Sequence, residues 1–163
     1  MPRPESDYML SEAIFVKKYG ENYKNTIRIH IVYSLYNIVQ LDEHIIPYNL
    51  LVDYITEDVL GKFNFSKDDV KAIVNEFLTM LREKGLIVWI RDANDNAEKS
   101  MVVNNIYISE KLAEILRNKI KDTENYEELK NCYMTLVNMK SMSQSTRMEL
   151  DLSNYGAEFE KKA

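Results

Sequence analysis

The stretch SKDDVKAIVNEFLTMLREKGLI, residues 66–87, carries the clearest helix signals in the chain. Ser66 followed by Asp69 is a capping box of the Ser/Thr-x-x-Asp/Glu kind, which marks a helix start, and Gly85 is placed to end the helix. Between them, apolar side chains recur on one helical face: Val70, Val74, Phe77 and Leu81, flanked by Ile73 and Leu78. These signals predict an amphipathic helix over 67–84 with one face in a core.

A hairpin and a further helix are predicted directly after this helix. The runs LIVWIR (86–91) and MVVNNIYI (101–108) are rich in β-branched residues and enclose the polar turn DANDNAEKS. Ser109 then precedes a helical pattern over 110–120 as a capping residue. The order of elements is therefore helix, hairpin with a long polar tip, helix.

Upstream, the segment NTIRIHIVYSLYNIVQ (25–40) fits two patterns. Its isoleucines at 27, 29 and 31 alternate as in a strand, whereas Ile27, Ile31 and Leu35 also share one helical face. Sixteen residues exceed the usual strand length of about 3–10 residues, so the length favours a helix. Tertiary packing would have to hold its β-branched residues in that helix.

The remaining elements are marked by spacing and by glycine or proline. We expect helices over 10–19, ending at Gly20; over 48–60, with Pro47 at its start and Gly61 at its end; and over 124–139. Beyond Lys140 the chain becomes polar and rich in Ser and Met, and this composition predicts a poorly ordered tail.

Composition limits the class of protein. A chain of 163 residues has the size of one domain, and 45% hydrophobic content is enough for a core without metal or disulfides. Lone Cys132 suits a reducing compartment, and the acidic start lacks the pattern of a signal peptide, so we expect a cytoplasmic, non-membrane protein. The net charge of −5 is unlike that of many nucleic-acid binders, although most of the excess lies in residues 1–66 (6 basic, 9 acidic).

Two segments resemble the winged helix-turn-helix superfamily, in particular PadR-like and MarR-like regulators. VKAIVNEFLTMLREKGLI (70–87) is similar to the recognition helix and first wing strand, and IYISEKLAEIL (106–116) to the second wing strand and following helix. Leu112 stands where those regulators usually have Gly. The resemblance implies a mainly helical α+β fold with a small β-hairpin, divided as follows: an N-terminal extension (1–24), a winged-helix domain (25–120), a C-terminal helix (121–140) and a tail (141–163).

The resemblance also implies a DNA-binding face on the helix over 67–84. A helix in the major groove needs donors, since Asn pairs with adenine and Lys or Arg with guanine. The predicted DNA-contacting residues are Lys67, Asp68, Lys71, Asn75 and Arg82 on the helix, and Arg91 and Lys99 in the wing. Asp68 would accept from cytosine or repel phosphate. The alternative is an ordinary solvated face of mixed charge.

Function is expected to require two copies of the chain, because two-fold pairing doubles the DNA site. Contact residues for a homodimer or another partner are predicted on the last helix; they are Tyr126, Leu129, Tyr133 and Leu136. Packing of that helix on its own domain is the alternative. The leading hypothesis is a sequence-specific transcriptional regulator that binds double-stranded DNA as a homodimer. A winged-helix protein-interaction module, as a subunit of a replication, transcription or membrane-remodelling assembly, is the second.

No enzyme signature is found in the sequence. With four glycines it lacks a phosphate loop and a G-x-S-x-G motif, and His30 and His44 are its only imidazoles. The adjacent Asp42, Glu43 and His44 are typical of a loop rather than of a metal site, and Cys132 stands alone. We therefore predict no catalytic residues, no metal and no cofactor.

Overall fold

The computed structural model describes residues 23–42, 44–90 and 105–150. Its helices are α1 (Tyr23–Gln40), α2 (Tyr48–Lys62), α3 (Lys67–Glu83), α4 (Glu110–Lys119), α5 (Tyr126–Asn138) and α6 (Gln144–Leu150). Its strands are β1 (Ile45–Pro47), β2 (Ile87–Ile90) and β3 (Asn105–Ile108). The fold is mainly helical with a small antiparallel sheet, so the predicted α+β class is confirmed at this level.

Helix α1 confirms the helical interpretation of 25–40. Ile27, Ile31 and Leu35 are almost completely buried, and Ile29 and Val32 are buried on other sides of the same helix. β-Branched residues have low helix propensity, so burial among several neighbouring elements must hold α1 helical. Helix α1 packs against α2, α3, α4 and α5.

Helix α3 has both predicted ends. The Ser66 hydroxyl accepts from the Asp69 backbone N–H at 3.4 Å, and Gly85 adopts a positive φ of 72°. The Leu86 N–H then donates to the Leu81 carbonyl at 2.9 Å, as expected when a left-handed residue ends a helix. The expected helix end at Gly61 was wrong, because α2 continues to Lys62 and only then becomes extended at Phe63.

Strand β1 was not predicted. It pairs antiparallel with β3, which also pairs with β2, so that the sheet order is β1-β3-β2. A residue before proline is driven toward extended backbone, and Ile46 precedes Pro47. Three residues are too few to show alternation, and the pairing with Tyr107 and Ile106 is a tertiary contact.

Helix α5 belongs to the same core as the rest of the described chain, and α6 contacts α3 and β2. Helix α5 packs on α1 and α4 and buries Leu129, Cys132 and Leu136. Helix α6 lies within the segment for which poor order was expected, and the segment before it is tied to α3 by the Met142 N–H, which donates to the Glu83 carbonyl at 2.8 Å. The polar composition of the segment beyond Lys140 did not indicate this backbone hydrogen bond to the end of α3.

Three sequence predictions lie outside the described residues: the helix over 10–19, the polar hairpin tip and the tail beyond 150. Among the helices that the structure describes, none combines the length and apolarity needed to span a membrane.

Candidate nucleic-acid interface

The predicted DNA-contacting residues of α3 lie on its exposed side. Lys67 and Asp68 are exposed, whereas Lys71, Asn75 and Arg82 are half-buried. Steps of four residues from Lys67 to Lys71 and Asn75 keep these side chains on neighbouring positions of one helical face. The opposite face carries the core residues, which are Val70, Ile73, Val74, Phe77, Leu78 and Leu81.

Side chains of α2 pair with the lysines of this face. Lys67 Nζ lies 3.2 Å from Glu57 Oε1. One helical turn further along α3, Lys71 Nζ lies 3.4 Å from Asp53 Oδ1. The residue numbers rise on α3 as they fall on α2, so the two helices run antiparallel where they pair.

Asn75 continues the same series of contacts. The Tyr48 hydroxyl, at the start of α2, donates to Asn75 Oδ1 at 2.5 Å. We call the three contacts Tyr48–Asn75, Asp53–Lys71 and Glu57–Lys67 the α2–α3 ladder. Three of the five predicted DNA-contacting residues on α3 are therefore each held by one side chain of α2.

Arg82 is held from another direction. Its guanidinium carbon lies 4.2 Å from the centre of the Trp89 ring on β2, a cation–π contact. The Tyr48 ring in turn meets Trp89 edge-on, with centroids 6.2 Å apart. Trp89 thus joins the end of α3 to the start of α2, and the half-buried indole orients the arginine.

The structure does not describe the two predicted wing residues. Arg91 and Lys99 both lie in the range 91–104. Among the described residues, the candidate interface consists of α3, α2 and Trp89.

The four predicted contact residues on α5 differ in exposure. Leu129 and Leu136 are buried in the chain's own core, and Tyr133 is half-buried, stacked on Phe77 with ring centroids 6.0 Å apart. Tyr126 is 47% exposed. Met134 and Val137 also expose part of their apolar surface on α5. Of the predicted contact residues, Tyr126 therefore offers the most surface to a second molecule.

A cavity of about 450 Å³ lies beside Tyr126, between α1, the end of α2 and the turn before α5. The rings of Tyr33, Phe63 and Tyr126 form part of its wall, and Lys62 and Glu124 add one charge of each sign. A cavity of this size could hold a small molecule.

Near this cavity, a polar cluster joins α1 to α2. His30 Nε2 lies 3.3 Å from Asp58 Oδ2, and the buried Ser34 hydroxyl donates to the same oxygen at 2.5 Å. Burial lowers the pKa of His30, and the charge of Asp58 partly offsets that effect. A Ser-His-Asp nucleophile has the imidazole between the serine and the carboxylate. Here the carboxylate lies between the other two groups, so the cluster lacks that arrangement.

His44 is used in packing. Its Nδ1 lies 3.0 Å from the Ile108 carbonyl oxygen, and its Nε2 lies 3.1 Å from Glu110 Oε1. These contacts join the chain before β1 to the junction of β3 and α4. Within the described ranges, no group of three or more His, Cys, Asp or Glu side chains is arranged to hold a metal ion.

The sequence did not predict the α2 side of the candidate interface, which is formed by Tyr48, Asp53 and Glu57. One signal could have found part of it. Only four residues, 63–66, connect α2 to α3, and short connections favour antiparallel neighbours. The pair nearest the connection, Glu57 and Lys67, follows from that arrangement, whereas the other two contacts also need the rotation of each helix.

In comparisons with protein-family models, curated proteins and solved structures, nothing matched the chain.

Proposed function

We propose that the chain is a winged helix-turn-helix protein that binds double-stranded DNA sequence-specifically as a homodimer and regulates transcription in the cytoplasm. The observation that carries the proposal is the order α1, β1, α2, α3, β2, β3, in which a capped amphipathic helix is followed by two antiparallel strands. This order agrees with the layout on which the sequence resemblance rests.

Helix α3 is the element proposed to enter the major groove. Its exposed side carries two lysines, an asparagine and an arginine at helical spacing, and these side chains supply the donors that base edges and phosphates accept. Asn75 keeps its amide nitrogen as a donor, because the Tyr48 contact uses its oxygen. The Trp89 contact holds Arg82 in one orientation, which lowers the entropy cost of a bidentate contact.

Pairing of two copies is proposed through α5. Tyr126, Met134 and Val137 leave apolar surface exposed there, and a two-fold contact uses the same patch on both copies. Two α3 helices would then read two half-sites about one helical turn of DNA apart.

A protein-interaction module is the second candidate, and one observation favours it. Both lysines at the start of α3 are already paired with carboxylates, while α2 exposes 61% of Leu50 and 44% of Tyr54. An apolar pair beside acidic groups suits a protein partner better than a phosphate backbone.

Fluorescence anisotropy with two labelled duplexes tests the proposal. One duplex has random sequence, and the other comes from upstream of the chain's own gene. Salt is titrated from about 50 to about 200 mM, because phosphate contacts make log K fall linearly with log salt. We expect tighter binding to the upstream duplex and a slope that indicates several phosphate contacts.

The variant Lys71→Gln/Arg82→Gln is expected to weaken binding and flatten the slope by about 1 for each lost phosphate contact. Its matched control is Lys111→Gln/Lys119→Gln, which makes the same change in net charge at exposed positions on α4, away from the proposed contact on α5. Equal loss in both variants would contradict the assignment of α3. Absence of binding to either duplex by the folded protein at low salt would favour the protein-interaction candidate.

A further inference from the structure

The α2–α3 ladder places two carboxylates directly on the two lysines with which α3 begins. The pairs Glu57–Lys67 and Asp53–Lys71 are separated by one turn on each helix, and their nitrogen–oxygen distances are 3.2 and 3.4 Å. A DNA phosphate that binds either lysine must therefore displace or share a carboxylate partner.

These ion pairs are open to solvent. The side chains of Lys67 and Glu57 are 58% and 63% exposed, and those of Lys71 and Asp53 are 42% and 58% exposed. Exposed ion pairs contribute little to folding stability, so both carboxylates can be neutralised with the fold retained. Their exposure also means that dissolved DNA can reach the same lysines.

The start of α3 is acidic once its neighbours are included. Asp68 and Asp69 lie in its first turn, so four carboxylates and two lysines are located at or beside this end of α3. Phosphate attraction supplies nearly all nonspecific DNA affinity, whereas contacts to base edges distinguish sequences. Carboxylates that compete with phosphate therefore weaken binding to random DNA and leave Asn75 and Arg82 able to read bases.

We propose that Asp53 and Glu57 are specificity-determining residues, which limit nonspecific DNA binding by competing with phosphates for Lys71 and Lys67. The inference rests on the proposed function. It assigns to α2 a role in discrimination that does not require α2 to contact a base.

The test measures anisotropy of a random-sequence duplex with the full chain and the variant Asp53→Asn/Glu57→Gln. Two newly available phosphate contacts are expected to raise the affinity at about 50 mM salt by about tenfold and to steepen the slope by about 1.8. The matched control, Glu110→Gln/Glu114→Gln, removes two carboxylates at exposed positions on α4, away from the proposed contact on α5. Circular dichroism establishes that all variants are folded.

A second pair of substitutions identifies the lysines as the target. Adding Lys67→Gln/Lys71→Gln to the Asp53→Asn/Glu57→Gln variant is expected to abolish the gain. The fourfold variant has the same net charge as the wild type, so a gain that survives this addition would show that the carboxylates do not act through Lys67 and Lys71. An equal gain in the control would show that only net charge matters. Either result would overturn the inference.

The outcomes separate the inference from the proposed function. If the wild type binds the duplex and Asp53→Asn/Glu57→Gln binds no better, the inference fails and DNA binding stands. If neither protein binds at low salt, both fail. If only the variant binds, the carboxylates restrain this face and the inference is supported.

Discussion

Gly85 and Met142 are in direct contact, so that a Cβ added at Gly85 would overlap the Met142 Sδ and Cε atoms. Gly85 also has a positive φ of 72°, a conformation that costs other L-residues about 1–2 kcal/mol. The Met142 side chain can move aside, whereas the backbone conformation cannot change without losing the helix end. The position requires glycine chiefly for its φ.

We predict that Gly85→Ala lowers the free energy of unfolding by about 1–2 kcal/mol. Gly61→Ala is the matched control, since Gly61 lies inside α2 with open space around it, and there alanine should raise stability by about 0.5–1 kcal/mol. Urea unfolding followed by circular dichroism measures both. Equal effects at the two positions would contradict the left-handed conformation of Gly85.

Truncation of the Leu112 side chain should lower the free energy of unfolding strongly. It is fully buried on α4, whereas Leu50 on α2 is 61% exposed. We predict that Leu112→Ala lowers the free energy of unfolding by about 2–5 kcal/mol and that Leu50→Ala changes it by less than about 0.5 kcal/mol. A small effect at Leu112 in urea unfolding would place α4 outside the core.

Stability should fall on acidification because of His30. Its pKa is lowered in the folded chain, first by burial, so the unfolded chain takes up a proton at higher pH than the folded chain does. The contribution of neutral His30 to the free energy of unfolding is therefore fully present above the ordinary histidine pKa of about 6.5. It is lost as the pH falls through the lower pKa of the folded state. Urea midpoints of wild type and His30→Gln between about pH 8 and pH 5 measure it. If the wild type became more stable relative to His30→Gln as the pH falls, the His30 pKa would be raised by folding and not lowered, which would contradict the prediction.

Cys132 should react slowly in the folded chain. Its side chain is buried, and desolvation raises the thiol pKa to about 11, so very little thiolate exists near neutral pH. We predict that labelling by an aromatic disulfide reagent is slow in buffer and accelerates in urea in parallel with unfolding. Cys132→Ala provides the blank, and rapid labelling of the native protein would contradict the burial of α5.

Local signals were sufficient for much of the fold. Ser66, Gly85 and Ser109 mark helix ends through contacts within a few residues, and all three act as expected. Gly61 does not end its helix, because glycine is tolerated inside a helix at modest cost and α2 continues past it. Strand β1 depends on pairing with residues some sixty positions away, which no local pattern records.

The candidate site could be predicted only in part. Helical spacing identified Lys67, Lys71 and Asn75 as neighbours on one face. Their partners Glu57, Asp53 and Tyr48 depend on how α2 packs against α3. The three- and four-residue spacing of apolar residues on α5 was equally consistent with a face in the chain's own core and with a contact to another molecule. Burial places Leu129 and Leu136 in the core.

The packing of α5 on α1 has a consequence for the order of events during synthesis. Leu129, Cys132 and Leu136 complete the core around α1, yet 85 residues, 41–125, separate the end of α1 from the start of α5. At translation rates of about 5–20 residues per second, the apolar faces of α1 remain without α5 for roughly 4–17 s. During this interval the isoleucine-rich faces of α1 in the nascent chain are not yet covered by α5. Chaperones therefore have most access to α1 before α5 has been synthesised.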